Sequence, residues 1–166
     1  MIISGKEASK FCEKVSKINP IGVDIPPKKI FKYPENIEYV LLDGNKRGFY
    51  INGKFYDLRE KLKEIKPING YWILDPGLYY VVFYKVKIPK DTVAFAYPRS
   101  SLNRLGIIKS QTAVFDPGYE GEFQQLFYFV KRAKINVDEV WVQLVFFKLR
   151  KEVEEYKGYW NKESYD

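Results

Sequence analysis

The chain has 166 residues, of which 46% are hydrophobic and 17% aromatic, and its formal net charge is +7. This length and composition predict one folded domain over residues 1–166 and exclude a disordered chain. The sequence contains no histidine and a single cysteine, Cys12. Histidine-dependent triads and dyads, nearly all zinc sites and internal disulfides are therefore excluded.

No apolar run approaches the roughly 20 residues that a membrane helix requires, and no signal peptide is recognisable at the start of the sequence. With the lone cysteine, which suits a reducing compartment, these features predict a cytoplasmic protein without a membrane partner. The net charge favours a polyanionic partner such as a nucleotide or a nucleic acid. A Lys-rich surface that faces only solvent explains the charge equally well.

The first predicted element is a short amphipathic helix in SGKEASKFCEKV, residues 4–15. Ser4 and Glu7 have the spacing of a capping box. Four apolar residues fall on one helical face: Ala8, Phe11, Cys12 and Val15. The next segment, GVDIPPKKIFKY, is predicted to be extended because its two adjacent prolines prevent a helix.

Strand signals dominate from about Ile37 onward, where short aromatic and β-branched runs alternate with turn residues. The predicted strands are IEYVLL (37–42), GFYIN (48–52), LYYVVFYKVKI (78–88), TVAFAY (92–97), GEFQQLFYFV (121–130) and EVWVQLVFFKL (139–149). The segment DLREKLKEIK (57–66) remains ambiguous between a helical turn and a loop. We predict a mainly β fold, a sandwich or jelly roll with one short N-terminal helix. Two of its strands are apolar on both faces, so we expect a second sheet or a neighbouring subunit to cover the outer face.

An unusual density of anion-binding groups follows the TVAFAY strand, at Arg99, Ser100, Ser101 and Arg104. A turn is expected here because of Pro98 and the serines. Guanidinium, hydroxyl and backbone N–H donors in one turn can hold a phosphate group. A loop with exposed arginines gives the same pattern.

A second candidate segment is FDPGYEGEF, residues 115–123, which enters the next strand. Glycines at 118 and 121 would let the backbone approach a flat ligand closely. Tyr119 could stack on a sugar or a base, and Asp116 could orient a water molecule as a general base. An ordinary glycine-containing β-turn is the competing interpretation.

Together these motifs resemble those of the dUTPase and dCTP deaminase superfamily, in its deaminase-like branch, and most of all archaeal-type dUTPases. The resemblance is carried by NPIGVDI (19–25), by RSSLNRLG (99–106) followed by TAVFDPGYEGEF (112–123), and by the terminal YKGYWN (156–161). It covers most of the chain and is weakest from Asn45 to Lys66.

The resemblance implies a homotrimer of distorted jelly rolls of the β-clip type, with intersubunit active sites that bind a deoxynucleoside triphosphate and Mg²⁺. By this resemblance, Arg99, Ser100, Ser101 and Arg104 bind phosphates, and Asp24 lies near the water shell of the metal. Asp116 contacts the deoxyribose and orients the attacking water, while Tyr119 lies beneath the sugar. Gln143 matches the glutamine of an RxxQ-like strand, and Tyr156 is expected near the base and phosphates. A nucleic-acid partner is not expected.

The choice of reaction depends on position 126. Deaminases of the family carry a glutamate ten residues after the DPG aspartate, and this sequence has Leu126 there. Glu122 would lie about 13 Å from that position along a strand, too far to substitute. We therefore expect dUTP hydrolysis to dUMP and pyrophosphate, with the base bound by the backbone of residues 121–126 and by an amide of Gln124 or Gln125.

Three departures from the family patterns leave alternatives open. The chain lacks the Gly-rich C-terminal arm of dUTPases, Tyr159 replaces a tail lysine of deaminases, and Val140 replaces an arginine. A dCTP deaminase, a bifunctional dCTP deaminase/dUTPase and a non-catalytic nucleotide-binding member are the competing hypotheses.

Overall fold

The computed structural model describes residues 1–111 and 114–166, and it is mainly β, which confirms the predicted class. Thr112 and Ala113 of the TAVF motif lie outside the described residues. The strands are β1 (Lys17–Ile18), β2 (Val23–Ile25), β3 (Pro27–Lys32), β4 (Tyr39–Asp43), β5 (Lys46–Ile51), β6 (Lys54–Asp57), β7 (Lys63–Ile65), β8 (Tyr71–Leu74), β9 (Gly77–Lys87), β10 (Thr92–Pro98), β11 (Ile107–Lys109), β12 (Glu120–Phe129), β13 (Ala133–Asn136) and β14 (Val142–Lys148). The helices are α1 (Gly5–Ala8), α2 (Leu58–Lys61) and α3 (Ser100–Arg104).

Two antiparallel sheets share one hydrophobic core. The first has the strand order β1-β2-β14-β10 and the second β11-β12-β9-β3-β7. Their facing side chains form a single buried cluster that includes Ile25 and Phe146 from the first sheet and Phe83 and Phe127 from the second. Each of these four side chains has no exposed surface. Alternate residues of each strand therefore point into a sandwich core.

Two smaller β units lie beside the sandwich. Strands β8 and β13 form a two-stranded ribbon, and β4, β5 and β6 form a three-stranded antiparallel sheet that we call the meander (residues 39–57). Its β5–β6 turn uses Asn52 and Gly53, both with positive φ, as the INGKF sequence predicts.

The N-terminal helix is shorter than predicted. The Ser4 hydroxyl accepts a hydrogen bond from the Glu7 amide, as the capping box requires. Helical structure nevertheless ends with a 3₁₀ turn at Phe11, and Cys12 is extended and forms a bridge with Val86. The bridge between Cys12 and Val86 of β9 replaces the last helical turn that the apolar spacing predicts.

Two other segments differ in detail from the expectation. The ambiguous segment 57–66 forms both α2, capped by the Asp57 side chain, and the strand β7. The turn expected after Pro98 is the helical turn α3, which the buried Leu102 anchors to the core. Among the described residues, no helix combines the length and the apolar character needed to cross a membrane.

The outer face of the second sheet is partly covered, in line with its apolar strands. Phe31, Tyr80 and Val82 form a second buried cluster, against which Leu126 and Tyr165 pack. Tyr165 belongs to the C-terminal segment 150–166, which we call the tail. The layer over this face is therefore in part the chain itself.

Candidate active site

A cleft of about 460 Å³ lies between β12, the turn before it and the tail. Its lining residues are Tyr33, Leu58, Tyr80, Val114, Phe115, Asp116, Tyr119, Gln124, Gln125, Leu126, Tyr156, Trp160 and Glu163. The cleft is thus mostly aromatic and apolar, with two carboxyl groups and two amides. This composition is typical of a site for a flat, partly polar ligand.

The DPG turn fixes one wall of the cleft. The Tyr119 amide donates to the Asp116 carbonyl at 3.1 Å, and Gly118 has a φ of 83°. Only glycine adopts this conformation readily. The turn leaves Asp116 exposed at the cleft and buries Tyr119 to 5% exposure.

Tyr119 is held from two sides. Its hydroxyl donates to Glu163 Oε1 at 2.5 Å, and its ring meets the Tyr156 ring edge-on, with centroids 5.9 Å apart. Burial raises the pKa of Tyr119 well above the ordinary value, so the phenol stays protonated and remains a donor.

Gln124 and Gln125 supply polar atoms that lack partners. Gln125 is 4% exposed, and its Nε2 donates to the Gln124 carbonyl at 2.6 Å. Its Oε1 and the Nε2 of Gln124 are buried and have no hydrogen-bond partner. Since unpaired buried polar groups are costly, these two atoms are available for a ligand with a complementary edge.

Leu126 lies in the same cleft, at the position predicted to be decisive. Glu122 does not line the cleft, because its carboxylate is 2.7 Å from Lys28 Nζ and accepts from the Ser164 hydroxyl. These contacts agree with the prediction that Glu122 cannot act in place of a glutamate at position 126.

The tail contributes residues that the sequence analysis missed. The Glu122 amide donates to the Glu163 carbonyl at 2.9 Å, and Gly121 forms a parallel bridge with Glu163. This pairing carries the Glu163 side chain to Tyr119, while Tyr165 donates to its other oxygen at 2.8 Å. Burial raises the pKa of Glu163 above its ordinary value. The only sequence signal for these contacts is the aromatic content of YKGYWNKESY, which does not reveal a partner strand.

The predicted phosphate-binding residues lie elsewhere on the chain. Arg99 Nη1 is 3.1 Å and 3.0 Å from the two carboxylate oxygens of Asp24, whose Oδ1 also accepts from Asn19 at 2.7 Å. Ser100, Ser101 and Arg104 are exposed on α3. None of these residues is among those lining the cleft of the same chain.

Gln143 belongs to this second group. It pairs in register with Asp24 on one side and with Tyr97 on the other, and its Nε2 donates to the Ile21 carbonyl at 2.8 Å. The structure therefore divides the predicted site residues in two. One group lines the cleft: Asp116, Tyr119, Gln124, Gln125 and Tyr156. The other consists of Ser100, Ser101 and Arg104 on α3 and of Arg99, Asp24 and Gln143 next to it.

The described residues suit Mg²⁺ only as a metal carried by a ligand. No group of three or more acidic or cysteine side chains within residues 1–111 and 114–166 is arranged to hold a metal ion. Asp24 is fully buried and both of its oxygens face Arg99, which satisfies its charge. A Mg²⁺ ion bound chiefly by phosphate oxygens and water needs no such protein cluster.

Comparison with known proteins identifies the family of this chain. A family model described as dCTP deaminase-like matches residues 6–149. A protein of Methanocaldococcus jannaschii named deoxyuridine 5'-triphosphate nucleotidohydrolase is 32% identical over 95% of this chain and 97% of its own length. A protein of Methanosarcina acetivorans named probable deoxyuridine 5'-triphosphate nucleotidohydrolase is 32% identical over 90% and 83%, respectively. A Dictyoglomus turgidum protein named dCTP deaminase, dUMP-forming, is 34% identical over 74% and 66%.

The fold has a solved counterpart as well. The crystal structure of 2'-deoxycytidine 5'-triphosphate deaminase from Agrobacterium tumefaciens matches 87% of this chain with a TM-score of 0.62 and 18% identity. This chain spans about half, 47%, of the length of that protein. With a family match over most of its residues and relatives above 30% identity, the chain belongs to the dCTP deaminase-like family, within the superfamily that also contains dUTPases.

Proposed function

We propose that this protein hydrolyses dUTP to dUMP and pyrophosphate. The observation that supports this choice is the composition of the cleft, in which Leu126 lies beside two unpaired amide atoms. A leucine cannot transfer the protons that deamination at C4 requires. The free Gln124 N–H can donate to a uracil carbonyl oxygen, and the free Gln125 oxygen can accept from the uracil N3–H.

In this proposal the cleft residues bind the deoxyribose and orient the attacking water. Tyr119 is held in place by Glu163 and Tyr156. We assign it to the flat surface beneath the deoxyribose that disfavours a ribose 2′-OH. Asp116 is exposed at the cleft and accepts a proton from the water as its oxygen bonds to the α-phosphorus. The bond from the α-phosphorus to the bridging oxygen breaks, and pyrophosphate leaves. A Mg²⁺ ion bound to the triphosphate would neutralise the charge that develops.

The triphosphate is assigned to α3 of a neighbouring copy. Arg99, Ser100, Ser101 and Arg104 are separated from the cleft of their own chain, so a complete site needs a second chain. An exposed apolar row on β11, β12 and β9 is available for such an interface, since Ile108, Tyr128 and Leu78 are neighbours in register and are 57%, 48% and 45% exposed. We propose a homotrimer, the arrangement that the family resemblance implies.

Separate product analysis with dUTP, dCTP, dTTP and UTP, with Mg²⁺ and with excess chelator, tests the proposal. The expected result is dUMP and pyrophosphate from dUTP alone, and only with Mg²⁺. Asp116→Asn is expected to bind dUTP but to lose hydrolysis by a factor of about 100 or more. Normal turnover by Asp116→Asn would contradict the role of this residue.

One observation favours a second candidate, dCTP deamination. Glu163 places a carboxyl group with a raised pKa in the same cleft as Leu126, and such a group could serve as an acid–base catalyst. Both of its oxygens already accept from tyrosine hydroxyls, which disfavours this role. Formation of dUTP or dUMP from dCTP, lost in Glu163→Gln, would establish this alternative. Binding of dUTP without turnover of any substrate would indicate a non-catalytic member.

A further inference from the structure

Two arginines connect the meander side of the molecule to the tail. The Arg47 guanidinium, on β5, lies 4.5 Å from the centre of the Tyr159 ring and 5.7 Å from that of Trp160. The Arg59 guanidinium, on α2, lies 5.7 Å from the centre of the Trp160 ring and 5.2 Å from that of Tyr165. Two cations therefore contact three aromatic residues of the tail.

These arginines lack the usual competing partners. Among the described residues, no carboxylate lies at ion-pair distance from either guanidinium, and the Arg47 Nε is buried without a hydrogen-bond acceptor. Cation–π contacts are strongest when the cation is partly desolvated and unpaired. The aromatic rings of the tail are thus the principal partners of the half-buried Arg47, whereas the exposed Arg59 contacts the rings and its charge also acts on the Glu163 carboxyl of the tail.

The contacts join the tail, which lies beyond the family match, to a segment within the match. The family match covers residues 6–149, so it includes both arginines and ends before the tail. The tail in turn supplies Trp160 and Glu163 to the cleft. A change in the contacts at Arg47 and Arg59 would therefore reach the cleft through the tail.

We propose that Arg47 and Arg59 are positioning residues that hold the tail against β12, so that Trp160 and Glu163 complete the cleft. The position of the tail does not depend on the proposed function. The consequence for substrate does rest on it: weaker docking of the tail should raise the KM for dUTP more than it lowers kcat, because the reacting atoms are untouched.

Hydrogen exchange in the full chain tests the docking directly. The Glu122 amide donates to Glu163, and the Lys162 amide donates to the Glu120 carbonyl, so both amides report whether the tail is docked. In Arg47→Ala/Arg59→Ala we expect both amides to exchange about tenfold faster, while the amides of core residues such as Val81 keep their rates. Exchange of Glu122 and Lys162 at the wild-type rate would overturn the proposal.

Matched variants distinguish the loss of the Arg47 and Arg59 contacts from a general loss of stability. Lys54 makes a comparable contact with Tyr56, 5.2 Å from its ring centre, but within the meander, so Lys54→Ala should leave the tail amides unchanged. Tyr159→Ala removes a stacking partner from the tail side and should accelerate the same two amides even if the double arginine variant proves unstable. No acceleration in Tyr159→Ala would overturn the assignment of Arg47. If the wild type shows no dUTP turnover but these exchange effects are found, dUTP hydrolysis is contradicted and the proposed role of Arg47 and Arg59 is still supported.

Discussion

Asp24 lies on β2 with no exposed surface, and its carboxylate is held by the Arg99 guanidinium and the Asn19 amide. A buried carboxylate is costly unless a cation compensates it. Arg99 therefore has a role in folding in addition to the phosphate binding expected of it. Its side chain is 30% exposed, so the outer part of the guanidinium can still meet solvent or a ligand.

Removal of Arg99 should destabilise the fold as well as weaken binding. We expect Arg99→Ala to lower the free energy of unfolding by about 3 kcal/mol, because it leaves a buried charge without a cation. Adding Asp24→Asn to this variant should restore much of the loss, since the buried group is then neutral. Urea unfolding of both variants measures this, and equal stability of Arg99→Ala and the wild type would contradict the stabilising role of this ion pair.

Glu163 gives stability a specific pH dependence. Its carboxyl accepts from Tyr119 and Tyr165, and burial raises its pKa above the ordinary value of 4.5, although these two hydrogen bonds and the charge of nearby Arg59 act in the opposite direction. The folded state therefore holds this proton more tightly than the unfolded state does. The resulting stabilisation is fully present below the ordinary pKa and is lost as the pH rises through the raised one.

Glu163→Gln isolates this contribution, because glutamine is neutral and can still accept a hydrogen bond from Tyr119. Urea unfolding of the wild type and Glu163→Gln should be compared from about pH 4 to pH 7. We expect the variant to gain stability relative to the wild type as the pH rises. A constant difference would mean that Glu163 has the same pKa in both states.

The meander depends on a close approach between two of its strands. A Cβ atom at Gly48 would lie 2.0 Å from the Tyr56 carbonyl oxygen, across the β5–β6 pair. Any side chain at this position must push the strands apart. The same strand carries Arg47, so the geometry of the arginine contacts depends on this pairing.

Gly48→Ala should therefore disrupt the meander and leave the sandwich folded. We expect fast hydrogen exchange in β5 and β6 and in the tail amides of Glu122 and Lys162, with a loss of about 2 kcal/mol or more in local stability. Gly44→Ala is a suitable control for an added methyl group, because no atom lies within 4 Å of its Cβ position, although its positive φ of 56° adds modest strain. If the amides of β5 and β6 still exchange slowly in Gly48→Ala, the close approach at Gly48 would be contradicted.

The long strands could be predicted from the sequence because each supplies several buried residues at alternate positions. Strands β9, β10, β12 and β14 all overlap the predicted segments. The short strands β8 and β13 were missed, since each has four residues and they pair across a separation of about 60 positions. Such pairing depends on tertiary contacts rather than on local pattern.

Part of the candidate site could likewise be predicted from the sequence, because that part consists of short local motifs. Asp116, Tyr119 and the α3 residues stand in short motifs whose chemistry is local. Glu163 and Trp160 reach the cleft only because the tail pairs with β12, 42 positions away for Gly121 and Glu163. Nothing in the local sequence of the tail specifies that partner.

The two groups of predicted site residues lie apart on one chain. The cleft holds Asp116, and α3 holds Arg104 on an exposed surface. If the site forms between neighbouring copies, as we propose, an Asp116 variant and an Arg104 variant should complement each other in a mixed oligomer.

Subunit mixing tests this arrangement. Asp116→Asn and Arg104→Ala should each be inactive toward dUTP when pure. After dissociation and reassembly of an equal mixture, about a quarter of the sites should combine an intact Asp116 with an intact Arg104 from a neighbour. Activity near that fraction supports shared sites, whereas no recovery in a reassembled mixture would place both residues in one chain's site. Sedimentation of the wild type should give a mass three times the chain mass of 19.6 kDa, and Tyr128→Glu should lower the measured mass.

The position of Trp160 has a practical consequence. The chain has three tryptophans, and Trp72 and Trp141 are only 5% and 0% exposed in the core. Trp160 alone of the three lines the cleft. Because indole emission responds to the polarity around the ring, a nucleotide that enters the cleft should change the fluorescence of this residue against a constant background from the other two. The molecule thus carries its own optical reporter, and occupancy of the cleft can be titrated in solution without a label or a coupled assay.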